Sequence, residues 1–423
     1  MAMFLKSFIV TLLERRLAGV PLRVRLWDGT EVDPSGRARV GVILSSPSAL
    51  RYLWASDLSS LAEGYVEGRF GIDGRVEDAV KAAEMLCRSR GVLPSGARRR
   101  PRRHTRGRDL RAVQGHYDLS NDFFSLWLDR RMTYSCAYFR SGSEDIHRAQ
   151  EQKLDYICRK LMLKPEERFL DIGCGWGALI SWAARHYGVK ATGITLSRRQ
   201  YEYACARVNS EGLTGRCQVR LLDYRDLRAE EGFDKIASVG MFEHVGLRNL
   251  SRYFAAMTRL LRRGGLFLNH GICSAQLDGI WTKGGGGDFI DRYVFPMGEL
   301  PHVSHALREM AAQGFEVADV ECLRPHYAQT LLHWSRRFDI RLGEAQRLVG
   351  ERTCRVWSLY LAGCRHAFQR GWISVYQILA CKGSEAGGWP LPWSRQHLYE
   401  AFPVVRSPGD KAGSLAEELA GSS

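Results

Sequence analysis

The chain lacks any stretch near the ~20 consecutive apolar residues that a membrane-spanning helix needs, so any contact with a bilayer is expected to be peripheral. It also lacks a CxxC pair. The 11 cysteines are scattered and odd in number, which fits neither a zinc site nor a disulfide framework and suits a reducing cytoplasm. The opening MAMFLKSFIVTLLERRLAG starts like a signal peptide, but Lys6 cuts its apolar run, Glu14, Arg15 and Arg16 close it, and no small-residue cleavage site follows. It reads as an amphipathic helix. Phe4, Leu5, Phe8, Ile9, Leu12 and Leu13 share a stripe that ordinarily faces the protein's own core and otherwise a membrane. No repeat at a solenoid period is present, and no nucleic-acid-binding motif beyond one arginine run, so a nucleic-acid partner is not expected.

What is present suits a globular protein. Hydrophobic residues make up 45% and charged residues 25% of the 423, enough for a buried core, with one small domain and one large one expected. A net charge of +15 favours an anionic partner, nucleic acid or an anionic lipid surface, unless it is merely dispersed and solubilising. Residues 1–93 carry short β-like runs (PLRVRLWDG, RVGVILSSP) followed by helical patterning, as in a small α+β unit. PSGARRRPRRHTRGRD, residues 94–109, reads as an exposed, flexible basic linker that either attracts phosphates or is a solvated tether. In 110–382 the apolar runs RFLDIG, VKATGIT, CQVRLLD, FDKIASVG and GLFLNHGI alternate with helical patterns or short loops, the signature of an α/β, doubly wound sheet. A tail occupies 383–423.

The strongest local signal is Phe169-Leu170-Asp171-Ile172-Gly173-Cys174-Gly175-Trp176-Gly177, an apolar strand entering a glycine loop that opens a helix. Glycine permits tight turns and close approach of backbone to ligand. Dinucleotide enzymes share such loops, but G-x-G-x-G offers no snug pyrophosphate cradle. Leu260-Leu261-Arg262-Arg263-Gly264-Gly265, entering a strand, matches the fifth-strand turn of class I methyltransferases, so S-adenosylmethionine (SAM) is the expected cofactor. The second strand ends Gly193-Ile194-Thr195-Leu196-Ser197, without the usual ribose-binding acid. The hydroxyls of Thr195 and Ser197 and the amide of Gln200 are the substitutes, with helix N-capping as the alternative role of the two hydroxyls. Asp223 and Tyr224 stand where adenine would lie. With Tyr134, Ser135 and Leu196, these residues and Asp171, Gly173, Cys174, Gly175, Trp176 and Gly177 form the expected cofactor site. No metal site is expected.

The segments GHYDLSNDFF (115–124) and MTYSCAYF (132–139), followed in order by GCGWG, ITLSRRQ, MFEHVG, FIDRYVFPMGELP and HYAQTLLHW, resemble cyclopropane-fatty-acyl-phospholipid synthases and mycolic acid cyclopropane synthases. The resemblance covers roughly 112–382. It implies that SAM methylates a cis double bond of an unsaturated phospholipid acyl chain and that the resulting cation loses a proton as a cyclopropane closes. It further implies a bound bicarbonate as base, held by Cys136, Glu243, His270, Ile272 and Tyr327, Ile272 through its backbone and Tyr327 through its phenol. Cys364 corresponds to a cysteine regarded as catalytic in the family, although its apolar setting suits an inert thiol better. By analogy, residues 1–93 would bind lipid and support a homodimer, with the protein cytoplasmic and peripheral on the inner face of an anionic membrane. Tyr134, Phe139, Trp281, Phe289, Tyr293, Phe295 and Trp334 are candidates to line a pocket that shelters the cation, with core packing as the alternative for each. The competing readings are an acyl methyltransferase that leaves a methyl or methylene branch, a small-molecule N-methyltransferase, and a non-catalytic SAM- or lipid-binding protein.

Overall fold

The computed structural model describes residues 2–54, 57–88, 104–117, 119–277, 286–383 and 388–399. Strands β1 (Leu22–Arg25), β2 (Glu31–Val32), β3 (Val40–Leu44) and β4 (Phe70–Asp73) form a first sheet in the order β2-β1-β3-β4, in which β1 and β3 run parallel. The alternation in LRVRL explains β1: Leu22, Val24 and Leu26 are buried while Arg25 faces solvent. Helices Leu58–Val66 and Val76–Arg88 complete this unit, the first capped by Asp57, which accepts from the Ser60 N–H at 2.8 Å.

The N-terminal helix, Ala2–Arg16, meets the expectation of a core-facing stripe only in part. Leu13 is fully buried, but Phe4 and Phe8 are 83% and 60% exposed. Only its last turns reach the first core, which Leu13 and Leu17 join.

The second sheet holds β5 (Arg168–Ile172), β6 (Lys190–Thr195), β7 (Cys217–Leu221), β8 (Phe233–Val239), β9 (Leu261–Ser274), β10 (Phe315–Cys322) and β11 (Ile373–Lys382), in the order β10-β11-β9-β8-β5-β6-β7. The run from β9 to β7 is parallel, and β11 lies antiparallel to both β9 and β10. Alternate residues feed a core on each face. Phe169, Leu266 and Leu268 pack with the helices Ile146–Lys160 and Ala178–Tyr187, whereas Leu170, Ile172 and Phe267 pack with Leu250–Leu260 and Val303–Ala312. The expected Rossmann-like methyltransferase fold is the one observed. A fourth core, formed by Arg324–Ile340, Glu351–Gln369 and the NDFF and TYSCAYF segments, includes residues beside the strand ends such as Trp176 and Tyr327.

The end of the basic segment differs from a solvated tether. Helix Arg106–Tyr117 begins inside it, and the buried His104 ring faces Asp109, with Nδ1 2.8 Å from Oδ1. Residues 94–103, Trp281, Asp118 and 400–423 lie outside the described residues.

Candidate active site

Beyond β5, β6, β7 and β8 the loops enclose a cavity of about 160 Å³. The expected cofactor residues line it, except Gly177 and Ser197. Those two start helices. Gly177 has φ 83° and faces Ala204, whose Cβ lies 3.0 Å from where its own would be, while Ser197 accepts from the Gln200 N–H at 3.3 Å. The Thr195 hydroxyl donates to Gln200 Oε1 at 2.8 Å, so the amide offers the cavity its NH2. Gly173 needs its glycine: φ is 79°, and a Cβ would press on Met241 at 3.2 Å. Trp176 donates from Nε1 to Asn121 Oδ1 at 2.9 Å and packs on Phe124, which ties the NDFF segment to the glycine loop.

The electrostatics of this cavity are set by burial. Asp171 is 2% exposed, its Oδ1 has no partner among the described residues, and burial pushes its carboxyl up to about 7 against the pull of Lys153. Lys153, also buried, donates to Ser135 Oγ at 2.8 Å, and burial draws its amine down to about 8. Burial would raise Asp223, but hydrogen bonds from the Arg225 guanidinium and backbone N–H hold it below the usual carboxylate range.

A second cavity, of about 230 Å³ and mostly apolar, has Cys136, Glu243, His270, Ile272, Tyr327 and Cys364 in its lining. Glu243 sits in the 3-10 turn Phe242–His244 after β8, and its Oε1 accepts from the Ile272 N–H of β9 at 2.6 Å. That reach depends on Gly271, since a Cβ there would lie 2.0 Å from the Phe242 ring. Burial pushes the Glu243 carboxyl up to about 7. His270 Nδ1 accepts from the Gln377 amide at 3.1 Å, which places the imidazole proton on Nε2, and burial holds the ring neutral. Glu243 Oε2 and His270 Nε2 are buried and without partners among the described residues. Leaving each so costs about 1–3 kcal/mol, which a bound ligand would recover.

The other wall groups are unreactive thiols and phenols. Cys136 is fully buried, contacts the Ala137 and Leu323 carbonyls at 3.3 and 3.8 Å, and burial raises its thiol far above normal. Burial pushes Cys364 up to about 12. Neither is a thiolate at neutral pH. Burial likewise keeps the Tyr327 phenol protonated. The two cavities share Tyr134, Ser135, Gly240 and His244, so whatever fills one touches what fills the other.

The mycolic acid cyclopropane synthetase family matches residues 104–378. The chain belongs to this family. A Pseudomonas putida protein named "Probable fatty acid methyltransferase" is 44% identical over 382 residues, 90% of this chain and 96% of that one. The cyclopropane-fatty-acyl-phospholipid synthase of Escherichia coli K12 is 40% identical over 272 residues, 64% of this chain and 68% of its own. Among solved structures, mycolic acid cyclopropane synthase CmaA1 complexed with SAH and CTAB superposes with a TM-score of 0.62 at 36% identity, covering 64% of this chain and 98% of that one. As a member of the cyclopropane synthetase family, the chain is a SAM-dependent methyltransferase of the lipid-modifying kind.

Of the aromatic residues expected around the second cavity, Tyr134, Phe289 and Phe295 line it. Phe139 does not; it stacks on His326 and His333. Trp334 stands behind Tyr134 and Tyr327, and Tyr293 packs beside Phe289. Sequence reasoning missed Tyr360, whose hydroxyl accepts from Tyr134 at 3.1 Å, and His244, Lys153 and Asp109. His244 lay in view within MFEHVG. Asp109 had no such signal: its place at the cofactor cavity comes from bonds with His104 and Arg225, the latter 3.2 Å away.

Proposed function

We propose that this protein is a cyclopropane-fatty-acyl-phospholipid synthase. The observation that carries the reading is the shared wall of Tyr134, Ser135, Gly240 and His244, which joins a glycine-loop cavity to an apolar one where Glu243 Oε2 and His270 Nε2 have no partner among the described residues. SAM fits the first cavity: the glycine turn permits close approach, Gln200 offers donors, and Asp171 Oδ1 awaits one. When bound it supplies an electrophilic methyl. Tyr134, Ser135, Gly240 and His244 would hold that methyl in line with the alkene of a chain in the second cavity, and alignment of this kind removes much of the entropic barrier.

Methylation leaves a cation on the chain. Tyr134, Phe295, Tyr327 and Tyr360 line the space where it would lie, and an aromatic face stabilises a nearby cation by about 0.5–2 kcal/mol. Apolar walls keep water away. Glu243 Oε2, His270 Nε2–H and the Tyr327 phenol line the same cavity and would offer the right donor and acceptor types to bicarbonate, the base that would take the final proton. Ile272 would serve by fixing Glu243, to which its N–H is committed. Cys136 and Cys364 would be wall. A net charge of +15 and the exposed Phe4 and Phe8 favour work at an anionic membrane surface, and among the described residues no helix is long and apolar enough to cross one.

Purified protein given SAM and vesicles of saturated or cis-monounsaturated phosphatidylglycerol should release SAH only with the unsaturated lipid, with loss of the alkene. A methylated product that keeps an alkene would move the protein to the branching methyltransferases, a reading that the name of the Pseudomonas relative favours. Methylation of an added amine but no lipid would overturn the acyl assignment.

A further inference from the structure

The apolar cavity does not end at the catalytic groups. Its wall continues into the first core, where β1, β3, β4 and the Val76–Arg88 helix contribute Leu22, Val42, Phe70, Ile72, Ala83 and Leu86. Helix Glu351–Gln369 joins the two parts, packing both on Arg324–Ile340 and on Leu58–Val66 and Val76–Arg88. Gly363 lies on this helix and lines the cavity, and a Cβ built on it would meet nothing within 4 Å. A glycine inside a helix is disfavoured relative to alanine. Here it leaves open space beside Tyr360 and Cys364, on the helix that packs against both units.

This junction is held by specific bonds. His366 Nε2 lies 2.6 Å from Glu84 Oε2, Ser335 donates to Glu77 at 3.0 Å, and Arg355 donates to the Tyr65 carbonyl at 3.1 Å. Apart from His366 and the Tyr65 phenol, the wall on this side is hydrocarbon and aromatic ring, and Leu22, Val42, Phe70 and Leu86 are nearly inaccessible to bulk water. A phosphate headgroup would lose its hydration there without compensation, whereas an alkyl terminus is stabilised by every CH2 it buries.

We infer that the first core receives the methyl-terminal segment of the acyl chain whose double bond reacts beside Glu243 and His270. The N-terminal unit thereby measures the distance from double bond to methyl end, which makes it the determinant of chain specificity. The inference rests on the acyl-lipid reading above. It is tested by mixing the full-length protein and SAH with phosphatidylglycerol vesicles whose cis-monounsaturated chain carries a diazirine at its methyl end, then irradiating and mapping the crosslinks. Crosslinks in residues 22–44 or 70–86 are expected; crosslinks confined to the catalytic side, around Phe289 and Phe295, overturn the inference. In a second measurement, Ala83→Phe should lower the ratio of turnover on chains with a long methyl-side segment to turnover on chains with a short one by tenfold or more. Equal loss on both would refute the ruler. Wild-type turnover separates the two readings: if the wild type modifies neither chain, the acyl-lipid assignment itself fails and takes this inference with it.

Discussion

Replacing Glu243 with glutamine should make the protein more stable and far less active. Burial moves the Glu243 carboxyl from its ordinary value of 4.5 up to about 7, even though the Ile272 N–H bonds to it. The folded state therefore binds this proton more tightly than the unfolded chain does. Below pH 4.5 the acid is protonated in both states and costs the fold nothing. Between pH 4.5 and 7 a penalty grows, and above pH 7 it is complete, at about 3 kcal/mol on the scale of ~1.4 kcal/mol per pH unit. Glutamine keeps an oxygen for Ile272 and carries no charge to desolvate. Urea unfolding, without SAM or bicarbonate, should show Glu243→Gln gaining about 3 kcal/mol at pH 8 and less than about 1 at pH 5. Turnover should fall by about 10² or more, the scale of a lost acid–base group. A destabilisation of about 1–3 kcal/mol at pH 8 would show instead that the carboxylate is a structural hydrogen-bond partner, and turnover within about threefold of wild type would refute its place in the chemistry.

Other substitutions probe separate parts of the account. Cys364→Ser should keep turnover within about threefold, and neither Cys136 nor Cys364 should be alkylated at pH 8 in the folded protein, because their thiols stay protonated; rapid alkylation followed by mass spectrometry would contradict this. Asp171→Ala should weaken SAH binding at least about tenfold in calorimetry, the loss of one hydrogen bond to a buried carboxyl, with the fold retained by circular dichroism. Unchanged affinity would remove Asp171 from the cofactor site. Gly271→Ala should destabilise by about 2–3 kcal/mol or more, since its methyl meets the Phe242 ring; a wild-type unfolding midpoint would mean that the ring moves aside freely.

Much of the architecture is readable in the chain because the signals are local. An apolar run into GCGWG specifies a strand, a turn of positive φ and a helix within a dozen residues, and β5 with its glycine loop follows. Alternation in PLRVRL places β1, but β4 is only four residues with a glycine among them, too short to announce itself. Ser197 was ambiguous because one hydroxyl can serve a ligand or a helix start, and only the position of Gln200 decides for the cap. Asp109 and Lys153 escaped because their roles arise from partners distant in sequence: Arg225 for one, Ser135 and Asp171 for the other. The continuity of the apolar cavity with the first core was invisible for the same reason. Leu22 and Val42 read as ordinary core positions, which they also are.

The central claim is that a methyl from SAM becomes a ring methylene on an acyl chain, and trideuteromethyl-labelled SAM tests it directly. With cis-monounsaturated phospholipid vesicles, the product should carry the new carbon with two of its three deuteriums, and carbon-13 nuclear magnetic resonance should find no alkene carbon in the modified chain, which separates a ring CD2 from an exocyclic methylene. Retention of all three deuteriums, or of an alkene, would mean that methylation ends in a branch, and absence of label from the acyl chains would contradict the account altogether.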